Sequence, residues 1–180
     1  TGVCRVRENR GGMLFTNGWA NPCAVHVDPI EKKPLYHVMP GARAYSIAVA
    51  GCNMRCKNCQ NYTISQASPL DTQNTYLSPA DVVDVARKHK CQSIAYTYSE
   101  PTVWYEYMYE TAKRARAAGL KNLMITCGYI NEEPLYLQPS GFILRPNGTI
   151  VLLVHSSGAI GRLVANDTVG LIQHYQKQGR

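Results

Sequence analysis

Tyr45-Ser46-Ile47-Ala48-Val49-Ala50-Gly51-Cys52-Asn53-Met54-Arg55-Cys56-Lys57-Asn58-Cys59 passes from a short apolar run directly into a cysteine-rich loop. The run from Tyr45 to Ala50 predicts a buried strand that ends at Gly51-Cys52. The loop has C-x3-C-x2-C spacing, so one short segment carries three thiols. Three thiolates so placed can hold three irons of a [4Fe–4S] cluster and leave the fourth iron open to a substrate or cofactor. The competing reading is a structural zinc site, which takes four ligands, commonly in paired spacings. No second pair is present, and Cys91 is the candidate for a fourth ligand brought in by folding.

Downstream of this loop, helical and strand patterns alternate. Ser78 can cap a helix with Pro79 at its first position, and Val82, Val83, Val85 and Ala86 give it an apolar face through Lys88. Cys91 to Tyr98 reads as the next strand, Val103 to Ala118 as a helix closed by Gly119, and Asn122 to Cys127 as a third strand. Such alternation is the mark of right-handed βαβ units on a parallel sheet, hence an α/β fold. Upstream, Gly11-Gly12, Asn17-Gly18, Asn21-Pro22 and Asp28-Pro29 punctuate short apolar runs and predict small strands and hairpins. After Pro134 the texture changes: Gly141 to Arg145 and Thr149 to His155 flank Pro146-Asn147-Gly148, a hairpin signal, and Asn166 or Asp167 can cap a last helix reaching Gln178. The expected organisation is an N-terminal β segment (1–44), a βα core (45–136) and a C-terminal hairpin plus helix (137–180).

The 180 residues suffice for one compact domain, or for pieces of two. With 45% hydrophobic and 17% charged residues the chain reads as a globular protein rather than a solvated polymer. No apolar run reaches the roughly 18 residues of a membrane span. Nothing like a signal peptide precedes the body, and seven cysteines, three of them clustered, suit a metal site in a reducing compartment. The expectation is a cytoplasmic protein. The net charge of +7 is spread over separate segments, so it reads as a solvated surface and not as a nucleic-acid face. The run Trp104-Tyr105-Glu106-Tyr107-Met108-Tyr109 is read as helix packing, and the five histidines form no catalytic pattern.

Gly51-Cys52 to Cys59, continued by Gln60-Asn61-Tyr62-Thr63-Ile64-Ser65-Gln66, resembles the cluster loop of radical S-adenosylmethionine (SAM) enzymes. Arg7 to Gly12 and the segment Asp28-Pro29-Ile30-Glu31-Lys32-Lys33-Pro34-Leu35-Tyr36-His37 look like the corresponding parts of the AmmeMemoRadiSam-system proteins, relatives of the pyruvate formate-lyase activating enzymes. The resemblance covers about residues 1–135. It implies an incomplete (β/α) partial barrel. It also implies a [4Fe–4S] cluster on Cys52, Cys56 and Cys59 and an open iron that chelates SAM. One-electron reduction by a donor such as a flavodoxin or ferredoxin would cleave SAM to a 5′-deoxyadenosyl radical that abstracts hydrogen from a substrate.

The resemblance also names residues about the cofactor. Tyr96 to Thr102 is similar to the family's Gly-Gly-Glu-Pro region, with Tyr98-Ser99 in place of the glycines, and implies that Glu100 accepts hydrogen bonds from the SAM ammonium beside Ser99. A plainer role for Glu100 is to stabilise the start of the next helix. Asn58 stands where the superfamily commonly has an aromatic residue against the adenine. Thr126, in Thr126-Cys127-Gly128, matches a Thr-Asn-Gly-type turn near the cofactor; Cys127 itself suits a small buried residue as well as a ligand. Cys4 and Cys23 are read as free thiols or packing residues. From Gln138 onward the chain looks like the end of a thioredoxin-like redoxin, without any cysteine after Cys127. A zinc-stapled, redoxin-like interaction module is therefore the alternative to a radical enzyme.

Overall fold

The computed structural model describes residues 1–128 in full and, within the tail, the backbone of strands 140–144 and 150–155. The contacts divide into two units, Thr1–Thr126 and Cys127–Arg180.

In the first unit, β1 (Arg7–Arg10) and β2 (Met13–Thr16) form an antiparallel hairpin. Its turn is Gly11-Gly12, both at positive φ, where a Cβ would be strained. The main sheet has the order β3-β4-β5-β6: β3 (Ala24–Pro29), β4 (Arg43–Ala48), β5 (Ser93–Tyr96) and β6 (Lys121–Met124). β4, β5 and β6 are parallel, as the βα reading predicts. β3 runs antiparallel to β4 over its whole length, Ala24 facing Ala48 and Pro29 facing Arg43. Thus one strand of the expected N-terminal β segment is the fourth strand of the core sheet, covering the edge of β4.

Between β4 and β5 lie α1 (Tyr62–Ser65), a single turn that the apolar pattern does not announce, and α2 (Pro79–Lys88). The start of α2 is the expected one: Ser78 accepts from the Asp81 N–H while the Asp81 carboxylate accepts from the Ser78 N–H, a capping box that contributes about 1 kcal/mol. The segment after β5 begins as a 3-10 turn, Pro101–Trp104, before α3 (Tyr105–Ala117). Both helices pack on the sheet, and Val82, Ala86, Trp104, Tyr107, Met108 and Ala115 are buried with Ile47, Ile94 and Tyr96. Trp104, Tyr107 and Met108 of the aromatic run are core, whereas Tyr109 is exposed; the Tyr107 hydroxyl donates to Leu77 O at 2.6 Å, so that ring is buried with its polar end satisfied.

In the second unit, β7 (Ser140–Leu144) and β8 (Ile150–His155) form the expected antiparallel hairpin, with a register irregularity between Ile143 and Leu144. The last helix expected near Asn166 to Gln178 falls outside the described residues.

Candidate cluster and cofactor site

The register of the parallel strands decides where chemistry can gather. Ile47 pairs with Tyr96 and Tyr96 with Met124, so the segments that follow β4, β5 and β6 leave the same edge of the sheet. The first carries Cys52, Cys56 and Cys59, the second Ser99 and Glu100, the third Thr126. Hydrogen bonds tie these exits together beyond the strands: the Thr97 N–H donates to Ile47 O, the Ser99 hydroxyl to Val49 O at 2.6 Å, and the Ile125 N–H to Tyr96 O.

Glu100 is 3% exposed. Its Oε1 accepts from the Thr126 hydroxyl at 2.5 Å and from the Thr102 N–H at 3.1 Å. Two residues singled out separately in the sequence therefore meet directly. The plainer reading of Glu100 is also realised, because the Thr102 contact caps the 3-10 turn. A carboxylate fixed this way can cap a turn and still face a cationic group.

Gly51 opens the cysteine loop with φ +102, and a Cβ there would lie 2.2 Å from Cys4 O and 2.6 Å from Val6 Cγ2. Glycine is required by the close approach of the N-terminal segment. Cys52 is half-buried, and its thiol is pushed up from the usual value chiefly by burial. The Met54 and Glu100 N–H groups act against that shift, while the charges of Glu100 and Cys56 add to it. Glu100 and Cys56 are thus each within electrostatic reach of Cys52. Cys59 Sγ lies 3.3 Å from the Ser65 hydroxyl, and Cys56 and Asn58 are exposed. Among the described residues no three Cys, His, Asp or Glu side chains stand together in metal-binding geometry.

An open cavity of about 400 Å³ adjoins Cys56, lined by Arg5, Arg55, Lys57, Tyr62 and Gln66. The donor set and this lining fit an iron–sulfur cluster. Bound as thiolates, the three cysteines would carry excess negative charge, and three cationic side chains with no carboxylate line the wall beside one of them. Cys91 does not join them. It is buried just before β5, at the end of the sheet opposite the loop, so it supplies no fourth ligand for zinc there. Cys127 is exposed, against the reading of it as a buried small residue. Cys4 and Cys23 are free and half-buried; burial pushes the Cys23 thiol up to about 11.

The superfamily model for radical SAM proteins matches residues 46–143, more than half of the chain. The chain belongs to the radical SAM superfamily. It is 48% identical over 138 residues to an uncharacterized protein of Methanocaldococcus jannaschii, a match that covers 77% of this chain and 41% of that protein. The chain therefore spans less than half the length of this relative. No solved structure matches the chain. Radical SAM membership supports SAM-dependent radical chemistry and typically entails a [4Fe–4S] cluster and SAM. No helix among the described residues is long and apolar enough to cross a membrane.

Several residues around this candidate site carry no signal in spacing or periodicity. Tyr98 has φ +68, and its hydroxyl donates to Asp28. Asn61 Nδ2 donates to Tyr98 O at 3.0 Å, and Gln66 Nε2 to Met54 O at 2.9 Å. The stretches Asp28 to His37 and Gln60 to Gln66 stand out by resemblance, yet only the folded chain shows that Asp28 of one and Asn61 of the other both bond to Tyr98.

Proposed function

We propose that the chain binds a [4Fe–4S] cluster through Cys52, Cys56 and Cys59 and holds SAM with Glu100, with Ser99, Thr126 and Asn58 around the cofactor. The observation that carries this reading is the common edge: parallel β4, β5 and β6 deliver the cysteine loop, Glu100 and Thr126 to one place, and Thr126 is bonded to Glu100. Held by Cys52, Cys56 and Cys59, the cluster would supply one-electron reductive cleavage of bound SAM for hydrogen abstraction from a substrate. The chain's own residues bind and orient. Glu100 accepts hydrogen bonds from the SAM ammonium, Thr126 and Thr102 fix the direction of its carboxylate, and Ser99 anchors the turn to Val49.

The finer kinship proposed is with the AmmeMemoRadiSam-system and activating-enzyme-like group, supported by Arg7 to Gly12 and Asp28 to His37. A flavodoxin or ferredoxin is the proposed electron donor, and the cytoplasm the proposed compartment. For the tail the proposed kinship is with the end of a thioredoxin-like redoxin, for which the β7–β8 hairpin is the support.

Anaerobic reconstitution with iron and sulfide tests the cluster reading. A brown protein whose iron is lost on joint replacement of Cys52, Cys56 and Cys59 by Ala is expected. Full iron and sulfide in the triple variant, or a colourless protein that takes zinc stoichiometrically, contradicts it.

A further inference from the structure

Tyr98 sits between the last strand residue of β5 and the Ser99-Glu100 turn, with its backbone at φ +68. That left-handed conformation is disfavoured for any residue with a Cβ, and more so for a bulky aromatic one. It persists only where the surroundings over-determine it, and here they do so at three points. The hydroxyl donates to Asp28 Oδ2. The ring lies under the Lys33 ammonium, Nζ 4.4 Å from the ring centroid. The carbonyl accepts from Asn61 Nδ2, just past the cysteine loop.

Asp28 and Lys33 are unusual partners for a tyrosine. They are 5% and 4% exposed, and Lys33 Nζ lies 2.7 Å from Asp28 Oδ2. Lys32 adds a second ion pair at 2.9 Å from Oδ1. A buried ion pair is a weak source of stability, since desolvation offsets most of the attraction. Its clearest attested use is to fix one arrangement among several. What this pair fixes is Tyr98, and through Tyr98 the turn whose next residues are Ser99, bonded to Val49 O, and Glu100, bonded to Thr126.

We infer that Asp28 and Lys33 are positioning residues for the cofactor carboxylate: they lock Tyr98 in a left-handed backbone and so aim Glu100 at the edge where the cysteine loop emerges. The inference rests on the reading of Glu100 as the SAM-binding carboxylate. It assigns a task to the Asp28 to His37 stretch, which lies ahead of the βα core in sequence.

Tyr98→Phe removes only the hydroxyl, and Asp28→Asn with Lys33→Met removes both buried charges while leaving neither one unpaired. The unsubstituted chain and both variants are reconstituted, and SAM affinity, iron content, thermal midpoint and amide exchange are measured. The expected result for Tyr98→Phe is unchanged iron, an affinity for SAM about tenfold lower, and faster exchange of the Ser99 and Thr102 N–H groups, which are bonded to Thr97 O and Glu100 Oε1. The paired variant should show the same fall. Because the effect runs through Glu100, adding Tyr98→Phe to Glu100→Gln should weaken binding no further than Glu100→Gln alone. Unchanged affinity in Tyr98→Phe, or losses that multiply in the combined variant, overturns the inference. If the unsubstituted chain binds no SAM, the proposed function falls, and exchange alone judges the clamp. Faster exchange at Ser99 and Thr102 then upholds it, and unchanged exchange overturns it.

Discussion

The segments that follow β4 and β5 leave the same edge of the sheet but are held in opposite ways. The Tyr98–Glu100 turn is tied at every residue: Tyr98 to Asp28 and Asn61, Ser99 to Val49, Glu100 to Thr102 and Thr126. The cysteine loop is fastened mainly at its ends. Gly51 N–H donates to Ile64 O at 2.8 Å, Gln66 reaches Met54 O, and Cys59 touches Ser65, while Cys56, Lys57 and Asn58 between them are exposed. On the proposed reading, the fold places the carboxylate in advance, whereas the thiols would acquire their mutual placement from the cluster they bind. Metal binding and loop order are then one process.

The largest effect that follows is on the loop. Replacement of Cys52, Cys56 or Cys59 singly by Ala should remove most of the iron bound after reconstitution, read by iron and sulfide analysis. A single variant that keeps full iron would move that cysteine out of the ligand set. Next comes the loop's hinge. Gly51→Ala forces a Cβ against Cys4 O in a positive-φ conformation and should destabilise the chain by roughly 3 kcal/mol or more in urea unfolding. A neutral outcome would mean that the N-terminal segment does not close over this residue.

On the turn the effects are smaller. Glu100→Gln keeps an oxygen for Thr102 and Thr126 but loses the charge, so SAM binding should weaken by about 1.5–3 kcal/mol with the melting temperature little changed. Equal loss of binding and stability would make Glu100 a cap alone. The smallest effect is on acid stability. Burial by itself would raise the Asp28 carboxyl, but hydrogen bonds from Lys33, Tyr98 and Lys32 outweigh it and hold it well below the usual carboxylate range. The hydrogen bond from Arg7 lowers Glu106 likewise. A lowered folded value means that this stability is fully present above the unfolded carboxyl value, about pH 4, and is lost as pH falls through the folded one. Around Asp28 the charged and titratable neighbours are Lys32, Lys33 and Tyr98, with His26 edge-on to the Tyr98 ring. Urea midpoints should fall between pH 5 and pH 3, less steeply in Asp28→Asn. The same slope in both proteins would remove Asp28 as its source.

The parallel core was legible because its signals are local. Ser78-Pro79 with Asp81 caps α2 as the pattern predicts, Gly119 follows the end of α3 at positive φ, and Tyr45 to Ala50 contains most of β4. The place of β3 was not legible. Ala24–Pro29 has the composition of a hairpin strand, and only non-local pairing with β4 makes it part of the core sheet. The same holds for the site. The cysteine spacing is written in consecutive residues, but the meeting of Thr126 with Glu100 and of Tyr98 with Asp28 depends on register across strands far apart in sequence. Tyr98 is the sharper case: at φ +68 a glycine is the natural residue, and a tyrosine there signals a clamp that only three-dimensional contacts reveal.

The central claim is that Cys52, Cys56 and Cys59 hold a cluster whose open iron takes SAM beside Glu100. Electron paramagnetic resonance of the reduced, reconstituted protein, recorded with and without SAM, tests it most directly. The account predicts about four irons per chain, a reduced-cluster signal that shifts on adding SAM, and a shift that needs far more SAM in Glu100→Gln. A cluster signal indifferent to SAM at saturating concentration, or no cluster at all, would contradict it.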